Sequence, residues 1–302
     1  MLEGVLHWIN VNMPRFCTPN ELDCVDEHPE KISADLSRKA FTELGLALRF
    51  AQKSKKVRNH ALYETIKKKW INNIEENAFF YDTKKRLQLF PHRLLAFATL
   101  KSFGIENQEV KYNLETVMNG GYMDRVERSA WEKLDMKYYV EMAGLKNQFP
   151  SYDQLYKAST LHNLPRISAA QNIDFYGLTH LIFHLSDFSE KDMKEMFEEK
   201  YEDIQEYIDA TLCFCLMEQD WDLVLELLIN QYCLRKNFAE IDVSAAEAIK
   251  GIQQSEGFIP GRDWVKEYHS TSNFKKNAHS FEDVYHPTVL ALFLLTLESK
   301  AA

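Results

Sequence analysis

The chain has 302 residues, of which 45% are apolar and 27% are charged, a composition that excludes disordered and fibrous proteins. The 36 Lys and Arg residues are outnumbered by 45 Asp and Glu residues, and the net charge of −9 argues against a nucleic-acid partner or a basic membrane-binding surface. Only 10 glycines and 8 prolines occur, which disfavours an all-β sandwich with its frequent turns.

The N-terminus and the cysteines indicate a compartment. The first residues, MLEGVLHWINVNMPRF, lack the basic start and the long apolar segment of a secretory signal. No stretch approaches the roughly 18 consecutive apolar residues of a membrane span. The five cysteines are an odd number and do not suggest a disulfide framework. We therefore expect a cytoplasmic protein with no membrane partner.

Helical periodicity is the dominant signal along the chain. Apolar residues recur at three- to four-residue spacing, which indicates helices with one buried face. The stretches predicted as helices are 34–52, 57–77, 89–104, 107–118, 126–144, 151–161, 173–187, 190–199, 203–218, 220–235, 241–253 and 285–298. Asn172 or Asp174, and further along Asp220, are suitable N-caps. Pro91 and Pro287 fall early in their predicted helices, where a missing N–H costs little.

The spacing of these helices predicts the architecture. The more apolar helices are centred about 30–50 residues apart, as in stacked helix hairpins. The least helical stretches are 14–31, 77–86 and 257–283, and no change of composition divides the chain. We predict a single all-α domain over 1–302, a helix-hairpin α/α toroid or superhelical solenoid of about twelve to fourteen helices. A helical domain without true repeats is the alternative.

One local turn supports the toroid interpretation. The sequence AIKGIQQSEGFIPGRDW lets Gly257 adopt a positive φ for the reversal, while Phe258 packs between helices. Gln253 or Gln254 can bond the end of the preceding helix. This turn is similar to the Gln-x-x-x-Gly-aromatic turns of α/α toroids such as terpene cyclases and prenyltransferase β-subunits, although similar turns occur in many helical proteins.

Four stretches carry a wider resemblance. They are GVLHWINVNMPRF, RVERSAWEKLDMKYYVEMAG, DFYGLTHLIFHLSDF and VYHPTVLALFLL, and in this order they span nearly the whole chain. Together they resemble an uncharacterised bacterial family, a domain of unknown function often encoded beside natural-product biosynthetic genes. The resemblance implies a single helix-paired, toroid-like domain and carries no established activity. Ala130 departs from the proline frequent in that family, which affects helix entry rather than chemistry.

The stretch DFYGLTHLIFHLSDF holds the main candidate residues. On a continuous helix, Tyr176, His180 and Asp187 share one stripe. His184 lies about 80° away from Tyr176 around the helix and is expected outside the pocket. We predict His180 and Asp187 as catalytic residues, joined by His286 from the last helix, because imidazoles beside a carboxylate can act as acid and base or bind a metal. The alternative is that these polar groups are hydrogen-bonded core residues.

A second group of residues is predicted to bind substrate. Its members are Trp8, Glu127, Arg128, Tyr176 and Tyr285. The Arg128 guanidinium suits an anionic or carbonyl group, provided that Asp124 caps the helix and leaves Arg128 free to point inward. Glu127 has the alternative role of a carboxylate favoured by the helix N-terminus.

No cofactor and no metal are expected. Cys213 and Cys215 point about 200° apart on a helix, so one metal cannot easily take both. An alternative is zinc held by Asp209, Cys213 and His286, since zinc favours thiolate and imidazole ligands. The sequence has no phosphate-binding loop, no dinucleotide fingerprint, no nucleophile elbow, no HExxH and no aspartate-rich motif of terpene chemistry.

Two classes of function remain. The first is an enzyme or accessory enzyme of bacterial small-molecule or modified-peptide biosynthesis, with a central pocket for a small molecule or peptide and a possible biosynthetic partner protein. The second is a non-catalytic helical-repeat binding or scaffold protein for a peptide or carrier-protein partner. The enzyme requires His180 and His286 to converge on one cavity with an acid, whereas a scaffold disperses them along a broad groove.

Overall fold

The computed structural model describes residues 1–23, 31–262 and 281–301, without the side chains of 31–34, 300 and 301. Within these ranges the regular secondary structure is entirely helical, which confirms the all-α prediction. None of the helices in the described part of the chain combines the length and apolar content that crossing a bilayer requires. Most of the predicted loop 257–283 lies outside the described residues.

The helices follow the predicted order. They are α1 (Leu2–Val11), α2 (Met13–Phe16), α3 (Lys31–Ala51), α4 (Lys55–Arg58), α5 (Ala61–Glu76), α6 (Phe90–Ser102), α7 (Gln108–Asn119), α8 (Tyr122–Arg125), α9 (Ala130–Ala143), α10 (Tyr152–Lys157), α11 (Asn172–Leu185), α12 (Lys194–Phe197), α13 (Tyr201–Glu218), α14 (Trp221–Arg235), α15 (Glu240–Ile252) and α16 (Phe281–Ala301). Short 3-10 segments lie at Leu87–Leu89, Ile167–Ala169 and Glu198–Lys200. The predictions over 151–161 and 190–199 were too long, because only α10 and α12 form there.

Two predicted N-caps can be compared with the structure. The Asp220 carboxylate accepts a bond of 3.4 Å from the Leu223 amide and caps α14, as predicted. At α11 the N-cap is instead Gln171, and Asp174 accepts a bond of 2.9 Å from the Gln171 amide. Asp174 therefore stabilises the start of α11 from within the helix.

The predicted position of Pro287 was wrong. Helix α16 begins at Phe281, so Pro287 lies more than one turn inside it. Proline lacks the N–H that would bond the carbonyl four residues earlier, which is that of Asp283. Gly261 lies directly against this carbonyl, and a Cβ at Gly261 would overlap its oxygen. Pro287 is therefore accommodated at the point where the backbone of Gly261 packs closely against α16.

The described chain forms two compact units. The first consists of Met1–Val126, Tyr139–Gln148 and Ser255–Phe258, and the second of Glu127–Tyr138, Phe149–Gln254 and Ile259–Ala302. The single domain over 1–302 stays a prediction.

The core of the first unit is aromatic and contains a buried ion network. The Trp70 ring stacks on Phe41 with centroids 4.8 Å apart, and its Nε1–H donates to the Phe41 carbonyl. The Glu21 carboxylate, fully buried, lies 2.7 Å from Nε of Arg38 and 2.6 Å from Nη1 of Arg86. The two guanidinium groups compensate the cost of burying that carboxylate.

The predicted turn after α15 belongs partly to the first unit. Gly257 has φ +100°, as expected, and Phe258 packs against Trp8 with ring centroids 6.2 Å apart. In the second unit, the Gln254 amide donates to the Ile252 carbonyl at 2.7 Å and ties the end of α15. The predicted local geometry of this turn is confirmed.

Helix α14 is the centre of the second unit. It packs against α11, α13, α15 and α16, and nearly every residue along it is buried. A helix surrounded by neighbours is expected to be apolar on all sides. Only two residues link α13 to α14, so these helices form a hairpin, which agrees with the predicted helix pairing.

Candidate functional site

The second unit holds buried and partly buried carboxylates and imidazoles on α9, α11, α14 and α16. We divide them into two groups by their contacts. The Asp135 triad consists of Asp135, His180 and His184. The Glu226 cluster consists of Tyr176, Thr179, Asp222, Glu226 and His286.

In the Asp135 triad, one carboxylate faces two imidazoles. Oδ2 of Asp135 lies 2.9 Å from Nδ1 of His180, and Oδ1 lies 3.1 Å from Nε2 of His184. The two histidines are four residues apart on α11 and therefore lie on the same face of the helix. The His184 side chain is 2% exposed and that of His180 is 32% exposed, so the triad extends from the core toward solvent.

Aromatic residues hold both imidazole rings. Tyr138 stacks on His184 with ring centroids 4.6 Å apart, and Trp131 meets His180 edge-on at 5.4 Å. Trp131 also packs on Gly177, where a Cβ would lie 3.0 Å from the indole Cδ1. The small residue on α11 therefore lets α9 approach closely and brings Asp135 to the histidines.

The charges of the triad shift the pKa values of its members. Burial lowers the pKa of His180, but the charge and hydrogen bond of Asp135, together with the charge of Glu226, raise it to about 9. Burial likewise raises the pKa of Asp135, but the two imidazoles hold it well below its usual range. The two shifts have one cause, the attraction between the Asp135 carboxylate and the neighbouring imidazoles.

The Glu226 cluster connects α11, α14 and α16. Nδ1 of His286 lies 2.8 Å from Oδ1 of Asp222, and its Nε2 lies 3.8 Å from Oε1 of Glu226. The Tyr176 hydroxyl donates to Asp222 at 2.7 Å, and the Thr179 hydroxyl donates to Glu226. Asp222 therefore orients His286 from one side while Glu226 faces its other ring nitrogen.

Burial dominates the electrostatics of this cluster. The Glu226 side chain is 1% exposed, and burial raises its pKa, although His180 and His286 oppose the shift. Burial, followed by the charges of Asp222 and Glu226, also raises the pKa of Tyr176 strongly, so its hydroxyl stays protonated. A buried carboxyl group beside an imidazole is an arrangement typical of proton-transfer sites.

The predicted catalytic residues separate into two sets. His180 and His286 both interact electrostatically with the buried Glu226 carboxyl group, and His286 lies 3.8 Å from it. Asp187 lies beyond the end of α11 with φ +48°, and it accepts a bond of 2.6 Å from the Tyr138 hydroxyl. The helical projection that grouped Asp187 with His180 was wrong, because α11 ends at Leu185.

The predicted substrate-binding residues are likewise dispersed. Tyr176 belongs to the Glu226 cluster, whereas Tyr285 is buried and stacks on Phe281 at 5.1 Å. Trp8 lies in the first unit, packed edge-on against Phe16.

Glu127 and Arg128 do not open a helix, contrary to the prediction. Both precede α9, with Glu127 exposed and Arg128 half-buried. The start of α9 is capped by Ser129, whose hydroxyl accepts from the Glu132 amide while Glu132 accepts from the Ser129 amide. Asp124, predicted as the N-cap, lies in the separate helix α8.

The alternative zinc set is not assembled among the described residues. Asp209 accepts a hydrogen bond from Gln231 and forms an ion pair with Arg235, while His286 pairs with Asp222. Cys213 is exposed. Burial raises the pKa of the neighbouring Cys215 thiol to about 12, which makes it a poor ligand.

Four functional candidates escaped the sequence analysis: Asp135, His184, Asp222 and Glu226. His184 was expected outside the pocket, and the structure shows it 3.1 Å from Asp135, beside His180. Its i, i+4 relation to His180 could have identified this contact. Glu226 interrupts the apolar run LVLELLI, and a lone acid in such a run indicates a buried carboxyl group with a specific partner. Asp135 and Asp222 give no comparable signal, since both stand in mixed polar surroundings.

Comparisons with known proteins give a family but no activity. No curated protein and no solved structure matches the chain significantly. A family match extends over residues 2–296, nearly the full length, and agrees with the resemblance to an uncharacterised helical family. The chain belongs to the family described as Domain of unknown function (DUF6895).

Proposed function

We propose that this protein is an enzyme or accessory enzyme that performs acid–base chemistry on a small molecule or modified peptide. His286 and Glu226 carry the proton transfer, Asp222 orients His286, and Tyr176 holds Asp222. In the same proposal the protein is bacterial and cytoplasmic and works in natural-product biosynthesis with a biosynthetic partner protein.

The observation that carries the proposal is the series Asp222, His286 and Glu226. A carboxylate on Nδ1 fixes the orientation and tautomer of an imidazole, which leaves Nε2 available to accept a proton. The His286 side chain is 21% exposed, so a substrate can approach the ring, while Glu226 is buried. Because its pKa is raised, Glu226 can hold a proton nearer neutral pH than an ordinary glutamate.

The test uses conversion of compounds by purified protein. Wild-type protein, Glu226→Gln and His286→Ala are incubated separately with a bacterial metabolite extract, and each mixture is compared by mass spectrometry with one containing heat-denatured protein. The proposal predicts compounds that only the wild type depletes, with rates at least about 100-fold lower in both variants. Exposed His7→Ala serves as the control and keeps the wild-type rate.

Two results contradict the proposal. If Glu226→Gln converts the same compounds at the wild-type rate, Glu226 is not the proton donor. If the wild type converts nothing and instead retains a peptide or carrier protein in a pull-down, the scaffold alternative is correct.

A further inference from the structure

The Asp135 triad has the composition of a metal site. Its ligand atoms, two imidazole nitrogens and a carboxylate oxygen, all lie within 4.8 Å of one another. Among the described residues, this is the group in which three His, Cys, Asp or Glu side chains come close enough to hold one metal ion. Ligand atoms around a tetrahedral zinc ion are about 3.3 Å apart, given metal–ligand distances near 2.0 Å. The contact of Asp135 Oδ2 with His180 at 2.9 Å and that of Oδ1 with His184 at 3.1 Å are close to this spacing.

We propose that Asp135, His180 and His184 bind one divalent first-row transition-metal ion in the second unit. Two imidazoles and one carboxylate suit zinc, iron(II) and cobalt(II), whereas magnesium and calcium prefer sites made of oxygen alone. Three protein ligands leave a coordination position open, as in catalytic rather than structural zinc sites. His180 is the most exposed member of the triad, with 32% of its side chain accessible to solvent.

The surroundings of the triad support a preformed site. Tyr138 stacks on His184, Trp131 packs edge-on against His180, and Phe188 meets His184 edge-on at 5.4 Å. These contacts fix the rotation of both rings, and a metal site binds more tightly when its ligands are held in place. The inference departs from the expectation of no metal drawn from the sequence, and it does not depend on the proposed acid–base function.

The test measures metal binding directly. Protein freed of metal with EDTA is titrated with zinc chloride in a calorimeter, and cobalt(II) binding is followed by visible absorption. We expect one zinc ion per chain with a micromolar or tighter dissociation constant, a cobalt d–d band, and no displacement by excess magnesium. His180→Asn and Asp135→Asn should each weaken zinc binding at least about tenfold.

Matched variants separate this site from the Glu226 cluster. His7→Ala and His286→Ala should bind zinc as the wild type does, and circular dichroism should show that each variant is folded. If Asp135→Asn does not fold, zinc binding is compared between the wild type and His180→Asn, because the His180 side chain is partly exposed. The proposal is overturned if the wild type shows no saturable binding, or if His180→Asn binds zinc with unchanged affinity.

The two proposals fail independently. If the protein converts substrate through Glu226 but binds no zinc, only the metal-site proposal is wrong. If the protein binds zinc through the triad but keeps its activity in Glu226→Gln, only the acid–base proposal is wrong.

Discussion

At the scale of single residues, Glu226 shows how a charged group can be kept in an apolar helix. Leucines flank it on α14, yet it accepts a hydrogen bond from Thr179 and faces His286. An isolated ionised carboxylate in such surroundings would be strongly destabilising, and a hydrogen-bonded one beside imidazoles is destabilising to a smaller degree. Such a residue is retained at a cost in stability, which is common for functional groups.

The raised pKa of Glu226 predicts that the difference in stability between the wild type and Glu226→Gln depends on pH. Because burial raises the pKa of Glu226 above its unfolded value of 4.5, the folded protein holds this proton more tightly than the unfolded chain. The resulting stabilisation is fully present below the unfolded pKa and is lost as the pH rises through the folded value. Glutamine does not titrate. From pH 4 to pH 8, the free energy of unfolding of the wild type should therefore fall relative to that of the variant by about 1 kcal/mol or more.

Urea unfolding at several pH values measures this difference. Exposed Glu206→Gln on α13 is the matched control, and its stability should follow that of the wild type across the range. Parallel curves for wild type and Glu226→Gln would show that the burial of Glu226 does not raise its pKa.

At the scale of the elements, periodicity predicts where a helix runs but not where it must stop. Helices α13 and α14 were predicted almost to the residue, because apolar spacing and the Asp220 cap agree. The backbone turns to positive φ at Asp187, two residues after α11 ends, and no glycine or proline announces this change. That is why the stripe through Tyr176 and His180 was extended too far.

The turn at Gly257 offers a test at this scale. Gly257 has φ +100°, and a Cβ there would overlap the carbonyl of Gly4. Gly257→Ala should therefore lower the free energy of unfolding by about 2 kcal/mol or more, through backbone strain and the forced shift of α1. Thermal and urea unfolding provide the measurement.

Gly251 supplies the control for that test. It lies inside α15, and among the described residues no atom outside its own stretch of helix lies within 4 Å of a Cβ added there. Gly251→Ala should raise the free energy of unfolding by up to about 1 kcal/mol, because alanine favours the helix. Equal effects of the two substitutions would contradict the role assigned to Gly257.

At the scale of the whole molecule, the helical class was predictable and the composition of the site only partly so. His180, His286 and Tyr176 were identified because polar groups on apolar helices need partners. Their actual partners, Asp135, Asp222 and Glu226, come from helices distant in sequence. Helical periodicity reports which face of a helix is buried but not which helices meet, so it could not pair them.

The central claim is that the polar interior of the second unit is a ligand site rather than a satisfied core. Native mass spectrometry of freshly purified protein tests this most directly, with wild type, Glu226→Gln and the His7→Ala control measured side by side. The account predicts, in wild type and His7→Ala, either a retained small molecule that is diminished in Glu226→Gln or a retained metal ion that Glu226→Gln keeps. A wild-type mass equal to that of the bare chain, or equal retention of a small molecule in all three proteins, would contradict it.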